Sequence, residues 1–202
     1  TWNGDPAQVS QWFEANVQVA SYVTDMRVEA SDVPNDPSFS GVWSLDNTAQ
    51  GGVGAVDADI DAPEAWSIAT GNRSTIVAIL DTGIDYTHPD LAANIWINPG
   101  EIAGDGIDND RNGFVDDLRG WDFVNNDNNP IDDNGHGSHV AGTIGAVGNN
   151  GIGVAGVNWN VGLMALKFLN SSGSGTESGA IAALNYAAMM RERGQNIVVT
   201  SN

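Results

Sequence analysis

Two short segments of the 202-residue chain carry side chains suited to moving protons near neutral pH, a carboxylate and an imidazole. Asp81-Thr82-Gly83 follows directly on the apolar run 75–80, which puts the carboxylate at the carboxyl end of a strand. Open α/β sheets place their sites there. An aspartate after a strand also caps turns, so Asp81 alone decides nothing. The second segment is Asn134-Gly135-His136-Gly137-Ser138-His139-Val140-Ala141-Gly142-Thr143. His136 stands at an expected helix start, between glycines that permit close backbone approach. His139, one turn on, is expected to face the interior. A zinc pair fits poorly, because the helical zinc motif pairs its histidines around a glutamate that is missing here.

A third segment suits cation binding. Asp108, Asp110 and Asn112 put oxygen side chains at positions 1, 3 and 5 of a loop, Gly113 follows at 6, and Asp116 and Asp117 stand at 9 and 10. Alternating oxygens before a glycine turn is how a loop wraps a hard cation. Position 12 is Arg119, which excludes an EF-hand. Asp122, Asn125 and Asp127 form a second oxygen cluster just ahead of the histidine segment.

The composition sharpens these readings. Seven Lys and Arg against 26 Asp and Glu leave a formal charge of −19, and Lys167 is the single lysine. No basic stripe exists for phosphate backbones, so nucleic acid is excluded as a partner, and anionic membrane surface with it. No apolar run is long enough to span a membrane. With no cysteine, disulfides and thiolate chemistry are excluded, while the redox compartment stays open. Ten of the acids fall within residues 101–133, among two arginines only. Such a cluster repels itself unless a cation sits in it or salt screens it, so calcium and salt adaptation both remain open.

The elements that must position these residues follow from periodicity and punctuation. Residues 8–16 are compatible with a short helix and 17–30 with a strand, followed by an irregular stretch from Ser31 to Gly54. Ala62-Pro63-Glu64-Ala65-Trp66 suits a helix start. The run 75–80 reads as a central parallel strand buried on both faces, and 98–135 as a long polar loop. Residues 136–147 can be helical, with small residues for close packing, and 161–169 reads as a strand. Ser174-Gly175-Thr176-Glu177 matches a capping box, Ile181, Leu184 and Ala188 give a helical stripe, and Gly194 supplies the stop after Arg191 and Arg193. A last strand, 196–201, reads as buried. Alternating strands and helices imply a parallel sheet with right-handed crossovers. The five tryptophans from Trp43 to Trp159 read as packing groups.

VAILDTGIDYTHPDL (77–91) and DNGHGSHVAGTIGA (133–146) together resemble the Asp and His motifs of the subtilisin-like serine proteases, the subtilases. APEAW, GVAGVNWNVGLMALKFL (153–169) and SSGSGTESGAIAALNYA (171–187) extend the resemblance in the same order, over roughly residues 33–202. It is to the thermitase-like, calcium-rich bacterial type. The resemblance implies an α/β three-layer sandwich on a mostly parallel sheet. It also implies a secreted serine endopeptidase acting on polypeptides through an Asp-His-Ser triad. Asp81 would hold His136, and His136 would act as general base and then general acid for a serine. Ser172, Gly173, Ser174 and Gly175 would form an edge strand that pairs with substrate main chain. The family's Gly-Thr-Ser-Met-Ala nucleophile motif and its oxyanion-hole Asn are not among the 202 residues. The chain is therefore expected to be the N-terminal portion of a longer protease, inactive alone and poorly stable, with strand 196–201 as an apolar sheet edge.

The resemblance further implies structural calcium at two or more sites. The spacing already offers Asp108, Asp110, Asn112 and Asp117 as one; the resemblance gives another to Asp122, Asn125, Asp127, Asn129 and the Ile131 carbonyl. A third takes Asp36, Asp90 and Asn150 (or Asn149 in its place) with the Val147, Ile152 and Val154 carbonyls. Residues 1–32 resemble the end of a propeptide, an intramolecular inhibitor removed between about Ala30 and Pro34, ahead of a catalytic domain over 33–202. A catalytically silent calcium-binding module of the same fold is the alternative, and a cytoplasmic processing protease a weaker one.

Overall fold

β-Branched and apolar residues ahead of Asp81 extend the chain into β1 (Gly71–Asp81), the innermost pairing in a four-stranded sheet of the computed structural model. Residues 33–52 and 54–202 are described; the expected helix 8–16, strand 17–30 and propeptide 1–32 lie outside them. The other strands are β2 (Gly120–Asp122), β3 (Asn160–Lys167) and β4 (Ile197–Ser201), in the order β2-β3-β1-β4 and all parallel. Ile76 to Asp81 lie opposite Gly162 to Lys167 in register.

The two faces of β1 and β3 bury different helices. Val77, Ile79, Leu163 and Ala165 pack against Ala141 of α2 (His136–Gly145). Ile76, Ala78, Leu80, Met164 and Leu166 pack against Ala183, Tyr186, Ala187 and Met190 of α3 (Glu177–Glu192). A parallel sheet between helices is the expected three-layer α/β architecture. A third apolar cluster joins Phe39 and Leu45 to Trp159 through Ala62 and Trp66 of α1 (Ala62–Trp66).

Several expectations are corrected. The loop 98–135 contains β2, three residues too short to show any periodicity, hydrogen-bonded to the edge of β3. The stripe Ile181, Leu184, Ala188 faces outward, with Ile181 58% exposed. α3 is apolar nearly all round, so periodicity does not single out a face; the inward one is chosen by Tyr186, whose hydroxyl reaches Asp117. The cap is Thr176, whose side chain accepts from Gly179 N at 3.0 Å, rather than Ser174, and Glu177 opens the helix. Val198 and Val199 are half exposed, because β4 is an edge strand with β1 on one side only. Trp43 is 49% exposed, whereas Trp66, Trp96, Trp121 and Trp159 are buried.

Candidate active site

The amino end of α2 abuts the carboxyl end of β1, and glycine makes the approach possible. A Cβ on Gly137 would lie 2.1 Å from Gly83 O and 3.1 Å from Asp81 Cβ. Any other residue there would push His136 away from Asp81. Gly83 in turn sits at φ +106°, where a Cβ would meet Pro130 O at 2.6 Å. The inner face of α2 consists of Gly137, Ala141 and Gly145, spaced by four. His139 is therefore turned outward, contrary to expectation, and lines a cavity of about 480 Å³ with His88.

His136 Nδ1 lies 2.8 Å from Asp81 Oδ1 and 2.9 Å from Oδ2. The carboxylate is buried, its side chain 7% exposed, and Thr82 N donates to its Oδ1 at 2.7 Å. The ring is 64% exposed. With Nδ1–H donating to Asp81, the neutral imidazole keeps Nε2 as an acceptor. The hydrogen bond to Asp81, followed by that carboxylate's charge, raises the His136 pKa, and the charge of Asp132 adds to it.

Asp132 fixes the approach from the other side. Its Oδ1 accepts from Thr82 Oγ1, Asn134 N and Gly135 N, and its Oδ2 from Ser138 N and Oγ, all between 2.6 and 2.9 Å. Burial opposes ionisation, yet the bonds from Ser138, Gly135 and Asn134 hold this carboxyl far below the usual range. Thr82 Oγ1 accepts from Gly137 N as well, so one hydroxyl ties β1 to both Asp132 and α2.

Ser172 to Gly175 form a turn rather than the expected edge strand. Asn170 Oδ1 collects Ser172 N, Ser172 Oγ and Ser174 N, which bends the chain, and only Gly175 bridges, antiparallel, to Leu169. Asn134 Nδ2 donates to Ser171 O at 2.9 Å, so the turn is fastened beside the histidine segment.

A sequence profile described as Peptidase_S8, the subtilase family, matches residues 72–202, which hold Asp81, His136 and the 172–175 turn. The chain belongs to the subtilase family. It is 49% identical over 114 residues to subtilisin-like protease 1 of Plasmodium falciparum, covering 56% of this chain and 17% of that protein. It is 39% identical over 155 residues to thermitase of Thermoactinomyces vulgaris, covering 77% of this chain and 43% of thermitase. A solved cold-adapted subtilisin-like serine proteinase matches 73% of this chain and 41% of its own at 29% identity, with a TM-score of 0.40. The chain thus spans less than half the length of these relatives.

In this subtilase the acidic loop gathers Glu101, Asp110 and Asp117, each offering an oxygen within 4.8 Å of the others. Asn98 and Asn112 donate their amide nitrogens to Asp110 and Asp117. Burial pushes the Asp117 carboxyl up to about 6, against hydrogen bonds from Tyr186, Asn112 and Asn98. Asp108 is turned away, capping Asn112 N and Gly113 N. Asp116 accepts from Gly104 N and Gly106 N. The spacing of 108–117 does not reach Glu101, which lies outside that window; its place in the same acid-rich run is the sequence signal for it.

Asp122 accepts from Val124 N, Asn125 N and Asn125 Nδ2, while Asp127 accepts from Asn129 N and Tyr86 OH donates to Asn129. Asp36 and Asp90 are both buried, and each holds the loop 147–154. Asn149 N and Asn150 N donate to Asp36; Asn150 Nδ2 and Val154 N donate to Asp90. Asn150, rather than Asn149, thus reaches Asp90.

Proposed function

We propose that this subtilase chain supplies the base and the orienting acid of a serine endopeptidase. The observation that supports it is the Asp81–His136 pair: a buried carboxylate on Nδ1 of a solvent-facing imidazole. Asp81 selects the tautomer and steadies the imidazolium; His136 Nε2 takes a proton from a serine hydroxyl and returns it to the leaving amine. The serine and its oxyanion donor are not among the motifs of these 202 residues. Polypeptide is the substrate, and its main chain would pair beside Ser172, Gly173, Ser174 and Gly175.

Calcium fits the cluster Glu101, Asp110 and Asp117. The donors are all oxygens, as a hard cation requires. Asp110 Oδ1 is buried and has no hydrogen-bond partner among the described residues, an arrangement that costs free energy unless a cation completes it. A divalent ion there would offset most of the charge of three neighbouring carboxylates and brace the loop 98–118. Asp122 with Asp127, and Asp36 with Asp90, are the further candidate sites. On the same reading the protein is secreted and residues 1–32 close a propeptide, which N-terminal sequencing of secreted material tests.

The test of the activity is casein hydrolysis by the protein that contains this chain. His136→Ala should abolish it, and Asp81→Asn should lower kcat by about 10⁴-fold. Hydrolysis that survives His136→Ala overturns the reading, and no hydrolysis by the wild type leaves the silent calcium-binding module.

A further inference from the structure

The single lysine of this acidic chain is not at the surface: Lys167, at the carboxyl end of β3, has a side chain 1% exposed. Taking an ammonium out of water costs several kcal/mol unless its protons find acceptors. Here three acceptors surround it, Thr82 O at 2.5 Å, Asp133 Oδ1 at 2.6 Å and Leu169 O at 3.0 Å. They come from three separate segments. Thr82 adjoins Asp81, Asp133 stands three residues ahead of His136, and Leu169 leads into the 172–175 turn. Phe168 N and Leu169 N also donate to Asp81 O, at 3.0 and 3.2 Å, so the end of β3 grips the end of β1 by main chain and side chain together. An apolar side chain of similar volume would fill the space without the desolvation cost. What it would not do is gather a carboxylate and two carbonyls from three directions.

We propose that Lys167 is a positioning residue: its ammonium fastens the Asp81 strand end, the segment leading into His136 and the neighbouring turn into one unit, and so sets the Asp81–His136 hydrogen bond. The inference rests on reading that pair as the proton-transfer pair.

The test is an NMR pH titration of the His136 imidazole in the whole chain, which needs no hydrolysis. Among the described residues the charged groups facing the ring are Asp81 and Asp132, and the one facing Lys167 is Asp133. Lys167→Met removes a cation, which by charge alone raises the imidazole pKa. Loosening the bond to Asp81 lowers it. The two effects have opposite signs, so the direction decides. We expect Lys167→Met to lower the His136 pKa, with Asp81→Asn lowering it further. Amide exchange at Phe168 and Leu169 should quicken at least tenfold while Ala78 and Met164, in the sheet centre, stay protected. Should Lys167→Met fail to fold, Asp133→Asn, at a side chain 46% exposed, is read by exchange at the same amides, which should again quicken. An elevated, Asp81-dependent pKa that Lys167→Met leaves unchanged or raises overturns the inference and keeps the pair. Unchanged exchange in a folded Asp133→Asn, where Lys167→Met does not fold, overturns it too. An ordinary His136 pKa in the wild type takes down both.

Discussion

His136 presents Nδ1 to both oxygens of Asp81, at 2.8 and 2.9 Å, from a ring that is largely in solvent to an acid that is not. The asymmetry has a chemical consequence. The buried partner stays in place and defines the tautomer, while the exposed edge of the ring is free to meet a hydroxyl. The raised imidazole pKa moves the onset of base activity upward in pH.

The pH profile of peptide hydrolysis should show it. A general base works only when neutral, so kcat/KM rises with pH through the His136 pKa of the free enzyme. We expect that limb to lie above the ordinary imidazole range and to shift to lower pH in Asp81→Asn, alongside the loss of rate. A limb that does not move would mean that another group titrates there.

Gly137 and Gly142, five residues apart on α2, should respond oppositely to alanine. At Gly137 the new Cβ would overlap Gly83 O, so the helix must retreat from β1; about 1–3 kcal/mol of stability should be lost, and the activity with it. A Cβ on Gly142 would meet no described residue within 4 Å, and the gain in helix propensity should add roughly 0.5–1 kcal/mol. Urea denaturation of both variants measures the contrast.

Much of this was legible in the sequence. The continuous apolar run before Asp81 announces a strand buried on both faces, and the glycines around His136 announce a close approach. The outward turn of His139 was hidden, because both sides of α2 are small or apolar and only the packed structure says that glycine and alanine face the sheet. β2 was hidden for a different reason: three residues held by an existing edge need no pattern of their own. The 172–175 turn depends on one side chain, Asn170, collecting three donors, which composition does not reveal.

Calcium and Asp117 give a stability test with a defined sign. The folded-state pKa of Asp117, about 6, lies above its ordinary 3.8. Its contribution is therefore present in full below about pH 4 and is lost as pH rises through 6 in calcium-free protein. Asp117→Asn removes that dependence, so without calcium the Tm of wild type should fall relative to the variant between pH 4 and 7. Calcium reverses the order: at 100 times its dissociation constant it should stabilise wild type by about 2.7 kcal/mol, and Asp117→Asn and Glu101→Gln far less. Equal calcium shifts in all three would place the ion elsewhere. Stabilisation by molar salt alone would favour salt adaptation.

The most direct measurement is the tautomer of the neutral His136 ring, read from its ¹⁵N shifts in the folded chain. The proton should reside on Nδ1, with Nε2 bare, and the preference should disappear in Asp81→Asn. A neutral ring protonated at Nε2 in the wild type would contradict the assignment of His136 as a base oriented by Asp81.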